Sequence, residues 1–208
     1  MKGTSVWLMG GFMIVGVAGC GGSSRAAPSS RAYESEVGSR IGAVPGTMPT
    51  RLCADNIYAG QSASSIVRTP DDIVVGPVRF STLHQATGVG LYRFATPDGP
   101  ADGFKSPLSV SGTSGPWVAV WVTGDDDQVK INYDPADFVS GIPGDPKTGS
   151  PQVALQTAVA CGNGVSGFVQ YNGGFTWFHA TCATVQVFDG AGHLLGEKVV
   201  PFGRVSCR

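Results

Sequence analysis

Charge is scarce in this chain. Charged residues make up 14% of the 208, and the formal net charge is −1, where a typical domain carries about a quarter charged residues. No basic field exists to gather phosphates, so a nucleic-acid partner is excluded. Helical patterning is missing too. The 31 glycines and 14 prolines are poor helix formers and frequent turn formers, and residues 135–139 are the one short helix candidate. No cysteine pair has C-x-x-C spacing, which argues against a zinc ribbon or a thioredoxin-type redox site. The serine-hydrolase elbow G-x-S-x-G is incomplete around both Ser114 and Ser166, and neither is followed by a helical pattern. His84, His179 and His193 each stand alone in a turn or at a strand end, so each is read as structural or solvated rather than as a base or metal ligand. Asp125, Asp126 and Asp127, with Asp134 and Asp137, offer oxygen ligands but not the spacing of a calcium loop, and read as a solvated turn. The chain is therefore expected to use no cofactor and no metal.

What is present begins at the N-terminus. Lys2 is the only charge in residues 1–19. Residues 6–17 form an apolar run of signal-peptide length, too short and glycine-rich for a comfortable membrane span. The run ends in Val17-Ala18-Gly19-Cys20, which resembles the bacterial lipobox: a branched aliphatic, two small residues, then the cysteine that receives diacylglycerol. Residues 1–19 are thus read as a lipoprotein signal peptide and Cys20 as the lipidation site, which places the mature chain on the extracytoplasmic side of the cell membrane. Cysteine parity agrees. The chain has five cysteines, and giving Cys20 to lipid leaves an even set, Cys53, Cys161, Cys182 and Cys207, for two disulfides in an oxidising compartment. Residues 20–51, Gly/Ser/Pro-rich at their start, read as a flexible linker with a reach of about 30 Å.

From residue 52 to residue 208 the pattern is β. Residues 72–80 read as a strand interrupted at Gly76-Pro77, hence an edge strand or a bulge. Trp117–Thr123 and residues 129–133 flank Gly124-Asp125-Asp126-Asp127 and read as a hairpin. Residues 152–160 alternate, with Val153, Leu155, Thr157 and Val159 on one face. Residues 167–171 and 175–178 flank Asn172-Gly173-Gly174, a second hairpin signal, and residues 183–188 and 194–200 flank Asp189-Gly190-Ala191-Gly192, a third. Short strands with glycine turns between them predict an all-β, antiparallel β-sandwich, immunoglobulin-like or similar. Three disulfide connectivities are possible; this strand reading favours Cys161–Cys182 across the second hairpin and Cys53–Cys207 joining the domain's ends.

Several segments together, Val75-Gly76-Pro77-Val78, Asn132-Tyr133-Asp134-Pro135, Ala158-Val159-Ala160-Cys161, Asn172-Gly173-Gly174-Phe175 and Val200-Pro201-Phe202-Gly203 with Cys207, resemble a group of uncharacterised secreted proteins and lipoproteins of high-GC Gram-positive bacteria. The resemblance runs over about residues 73–207. It implies a location and a small β domain, and carries over no catalytic residue.

Trp117-Val118-Ala119-Val120-Trp121-Val122 is the most suggestive local pattern. A period of two puts Trp117, Ala119 and Trp121 on one face and the valines on the other. With the valines in the core, Trp117 and Trp121 become a candidate binding surface for cell-wall glycan or another exported protein. The first reading of function is accordingly a membrane-tethered, non-catalytic binding or structural module of the cell envelope. The alternative is an envelope-directed hydrolase with a site built from distant loops, residues 97–107 and 134–151 being long enough to supply one.

Overall fold

The structure, a computed structural model, describes residues 48–57, 69–87, 92–96, 99–112, 115–124, 128–133, 149–164 and 167–207. The described residues are mostly β with almost no helix. The strands are β1 (Thr50–Arg51), β2 (Ile73–Val75), β3 (Val78–Phe80), β4 (Tyr92–Thr96), β5 (Gly99–Lys105), β6 (Leu108–Ser111), β7 (Trp117–Thr123), β8 (Val129–Asn132), β9 (Gln152–Gln156), β10 (Phe168–Tyr171), β11 (Gly174–Trp177), β12 (Thr181–Asp189) and β13 (Leu194–Phe202). They form a five-stranded sheet in the order β1-β9-β7-β12-β13 and two four-stranded sheets, β10-β6-β3-β2 and β4-β5-β11-β8. Short 3-10 turns occupy Cys53–Asp55 and Leu83–Thr87.

One core serves all three sheets. Val118, Val120 and Val122 of β7 and Val185 and Val187 of β12 pack in one cluster with Val75, Phe80 and Leu108 of the second sheet and Ile131, Phe175 and Trp177 of the third. Each such buried side chain contributes roughly 1.5–3 kcal/mol. Phe175 is a hub, with ring centroids of Phe202, Phe80 and Tyr133 at 5.4, 5.7 and 6.0 Å. Such tilted and edge-on contacts suit the aromatic quadrupole.

The hairpin at Asp189–Gly192 forms as read: β12 and β13 pair antiparallel from Thr181↔Phe202 to Phe188↔Leu194. Trp117–Thr123 also forms as read, as β7, and the strand read at residues 152–160 forms over Gln152–Gln156 and then turns. The interrupted strand and the other two hairpins are corrected. Residues 72–80 are not one interrupted strand but a hairpin, β2 against β3, turning on Gly76-Pro77 with Gly76 at φ +53°. β7 and β8 do not pair with each other; β7 lies between β9 and β12, whereas β8 joins β11 in another sheet. β10 and β11 likewise go to different sheets. There the glycines serve packing rather than a two-strand turn, since a Cβ on Gly173 would lie 2.0 Å from Tyr133 Cδ1. A short polar or glycine-rich connection is compatible with a chain that changes sheets, and only the partner strands decide between the two outcomes.

The four cysteines form two disulfides, but the pairing is Cys53–Cys161 and Cys182–Cys207, not Cys161–Cys182 and Cys53–Cys207. The cause is β1. Thr50–Arg51, assigned above to the linker, pairs parallel with Ala154–Leu155 of β9, and Met48 and Arg51 are buried. Parallel register carries the two chains onward side by side, which brings Cys53 to the turn that follows β9. Cys182 sits opposite Pro201 in the β12–β13 ladder, so the tail beyond β13 needs only to fold back at Gly203, φ +77°, to reach it. The lipobox and Cys20, Ser114, Ser166, residues 125–127 and 134–140, and the short helix candidate at 135–139 lie outside the described residues.

Candidate binding groove

One end of the molecule, where the five-stranded sheet meets the β10-β6-β3-β2 sheet, opens into a groove of about 920 Å³. Four described segments build its walls. Gly76-Pro77 comes from the β2–β3 turn, Ser111-Gly112 from the end of β6, and Gly115-Pro116-Trp117 from the entry to β7; Asp189, Gly190, Ala191 and Leu195 come from the β12–β13 hairpin.

Each wall has its own support. Ser111 N–H donates to Pro77 O at 3.1 Å, tying β6 to the β2–β3 turn. The fully buried Thr157, in the turn after β9, donates its hydroxyl to Gly115 O at 2.5 Å and its N–H to Pro116 O at 3.1 Å. The same turn carries Cys161, whose N–H donates to Thr157 O, so the Cys53–Cys161 bridge braces the Gly115-Pro116 wall. On the far side the β12–β13 ladder slips at Val187/Phe188. This bulge pushes Leu195 outward to 39% exposure. Its carbonyl then meets the β2–β3 turn so closely that a Cβ on Gly76 would lie 2.9 Å away.

Asp189 is the only charged residue among the described residues of the lining. Its Oδ1 accepts the N–H groups of Ala191 and His193, both at 2.8 Å, and its Oδ2 lies 2.9 Å from His193 Nδ1. Partial burial pushes the Asp189 carboxyl upward, but the hydrogen bonds from His193 and Ala191 outweigh it and hold the group below the usual carboxylate range. The carboxylate is therefore engaged in closing its own turn. The His193 side chain is 79% exposed.

His193 is thus not alone, as read from sequence, but paired with a carboxylate. His84 Nε2 lies 3.9 Å from Asp71 Oδ2, and His179 is exposed. Among the described residues no three His, Cys, Asp or Glu side chains are grouped to hold a metal, and no helix is long and apolar enough to cross a membrane.

The tryptophan strand alternates as its sequence indicates. Its valines enter the core, and Trp117, Ala119 and Trp121 face the other way. That outer face is not bare. Ala119 is 1% exposed and clusters with Ala154, Phe188 and Met48, and Trp117, Trp121 and Leu194 pack around them, each partly buried. The space between the two indoles is filled, and Trp117 is the one that also lines the groove. Sequence reasoning missed the groove because its walls come from four separated segments. The only local signal was the Gly/Pro content of each turn.

Comparison with family models, with curated proteins and with solved structures returns no match to this chain.

Proposed function

We propose that this chain is a membrane-tethered exported lipoprotein whose β domain is a non-catalytic binding or structural module of the cell envelope. Cysteine use carries the reading. Two disulfides consume Cys53, Cys161, Cys182 and Cys207, which leaves Cys20 as the single odd thiol, at the position where a lipobox places its lipid acceptor. Paired cysteines fit an oxidising, extracytoplasmic compartment. We further read the architecture as a β-sandwich, with the five-stranded sheet as one layer and the two four-stranded sheets as the other, because inward residues of all three meet in one core. The groove is the surface on which such a module would hold envelope glycan or an exported protein, with Trp117 at its rim and Trp121 beside it on the same strand. A hydrolase is the weaker reading, since the closest histidine–carboxylate pair among the described residues closes a turn and its imidazole stands in solvent.

The test is Cys20→Ala followed by metabolic fatty-acid labelling and membrane fractionation. Diacylglycerol buries two chains at roughly 0.8 kcal/mol per CH₂, enough for stable anchoring where one chain binds only reversibly. The variant is expected to lose the label and the membrane association. Unchanged labelling refutes the anchor.

A further inference from the structure

We infer that the outer face of the five-stranded sheet rests on the lipid surface that carries the anchor, an assignment that depends on the lipoprotein reading above and gives the domain an orientation. The first argument is the composition of the face. Strand register carries the Trp117–Trp121 side of β7 across β12 to β13, so that Phe188, Leu194 and Val199 share it with the two indoles. Val199 is 47% exposed, and both indoles and Leu194 are half-buried. Glu197 is the one charged side chain on this face among the described strand residues. It accepts a hydrogen bond from Gln186 Nε2 at 3.1 Å. The outward face of an antiparallel sheet in water ordinarily turns polar. The β10-β6-β3-β2 sheet follows that rule, with an outward row of Val74, Arg79, Ser109 and Gln170 in which Arg79 pairs with Asp72 at 2.9 Å. A contiguous apolar face with so little charge marks a contact surface.

The second argument is where the lipidated segment meets the domain, and it selects the occupant. Met48, the first described residue, is buried in one cluster with Ala119, Ala154 and Phe188, against which Trp117, Trp121 and Leu194 pack. The chain that leads from Cys20 therefore joins the domain at this face. Residues 21–47, with a coil reach of about 30 Å, hold the domain over the lipid at an effective concentration in about the millimolar range. A weak affinity of the face is then enough to keep it docked. A second copy or a soluble partner has no such tie.

The third argument is the chemistry of indole. Its apolar body and single N–H donor suit the headgroup level of a bilayer, where one side is apolar and the other wet. Trp117 and Trp121, four residues apart on one strand, are separated by about 13 Å along it, with the small Ala119 between them. The described face has no basic side chain, so the contact is apolar, needs no anionic lipid and is not screened by salt. The groove lies at the ends of the strands and not on this face, so docking does not occupy it.

The experiment uses the full-length lipoprotein reconstituted into vesicles of neutral phosphatidylcholine with plain or brominated acyl chains. Bromine quenches an indole that enters the lipid. Cleavage before Cys20 removes Trp7, and Trp117→Phe with Trp121→Phe leaves Trp177, 1% exposed in the core, as the internal control. We expect the parent's emission to fall in brominated vesicles, and that of the double variant to be the same in both. Added phosphatidylglycerol or salt should leave the quenching unchanged. Trp121→Glu and, separately, Val199→Glu put a charge on the face. Each should lose the quenching of Trp117 while still floating with the vesicles on its lipid. Val199 is exposed, so its substitution spares the core, and thermal unfolding of both variants reports whether the fold survives. Equal parent emission in the two kinds of vesicle, with flotation intact, overturns the docked face and leaves the anchor standing. Quenching that survives both glutamate variants overturns it too. A parent that fails to float removes the anchor reading and the inference with it. Concentration-dependent dimers in micelles without quenching in vesicles give the face to a second copy. Blue-shifted emission on adding purified cell wall, again without quenching, gives it to a wall component. Either result overturns lipid as the occupant.

Discussion

At one edge of the five-stranded sheet, β13 pairs with β12 at eight positions, joined by a tight turn that Asp189 closes with its own carboxylate. At the other edge, β1 contributes two residues, paired with a strand about a hundred residues further along the chain. The first edge is local in sequence, so little chain entropy stands against it. The second has almost no ladder of its own and is held by other means. Cys53 is bonded to Cys161 across a separation of 108 residues. Arg51, buried at 5% exposure, donates from its guanidinium to Tyr133 O at 2.8 Å and lies 5.7 Å from the centre of the Tyr171 ring. Gln156 Oε1 accepts the Cys53 N–H at 2.7 Å. A short long-range strand persists where a covalent bond and buried polar contacts replace the missing ladder. The Cys182–Cys207 bridge, with a separation of 25, only pins a tail beside a strand it already adjoins.

The largest effect expected from this contrast separates the two bridges. On the chain-entropy model, removing Cys53–Cys161 costs about 5 kcal/mol and removing Cys182–Cys207 about 3.5 kcal/mol. The double variant Cys53→Ala/Cys161→Ala should therefore lower the guanidinium midpoint more than Cys182→Ala/Cys207→Ala does. The reverse order breaks the comparison, because it makes the hairpin edge the one that depends on its bridge. Next comes Arg51→Met, which keeps the stem but removes the donor to Tyr133 O. A hydrogen bond from a charged group contributes roughly 1.5–3 kcal/mol, and a loss of that size in denaturant titration is expected. A change near zero would mean that the disulfide alone holds β1.

The smallest effect lies at the other edge. The Asp189 carboxyl is held low in the folded chain by the groups that close its turn. A depressed carboxyl stabilises the fold above its unfolded value, about pH 3.9, and that contribution drains away as pH falls through the lower folded value. Protection of the Ala191 and His193 amides, taken relative to the intrinsic exchange rate at each pH, should therefore fall on acidification below about pH 4. Asp189→Asn should remove that acid step while leaving exchange in the middle of β12 unchanged. An unaltered acid step in Asp189→Asn would assign it to another carboxyl, with Asp72, also held low by Thr69 and Arg79 against its burial, as the next candidate.

Much of the strand content was legible from period and turn chemistry. The valines of β7 alternate with its tryptophans because a pleated strand bordering a core has no other way to place them. The β12–β13 hairpin was legible because its signal, two alternating runs around Asp189-Gly190-Ala191-Gly192, is contained in about twenty consecutive residues. The same kind of signal failed at residues 124–127 and 172–174. A glycine-rich link states that the chain turns and leaves open whether the next strand returns to the same sheet. β1 was missed since two residues cannot show a period, and the disulfide pairing was lost with it.

By itself, then, the amino-acid order settled what each segment can do locally: strand by alternation, turn by Gly, Pro and Asp, and an even set of cysteines once Cys20 is set aside. Those are properties of neighbours within a few bonds of one another, where sterics and solvation act without the rest of the chain. Which strands lie side by side, which cysteines meet and that a groove opens between Gly115 and Asp189 depend on segments far apart in the chain. Only packing of the shared core around Phe175 brings them together, because burying apolar surface is non-directional and rewards many pairings until shape selects one.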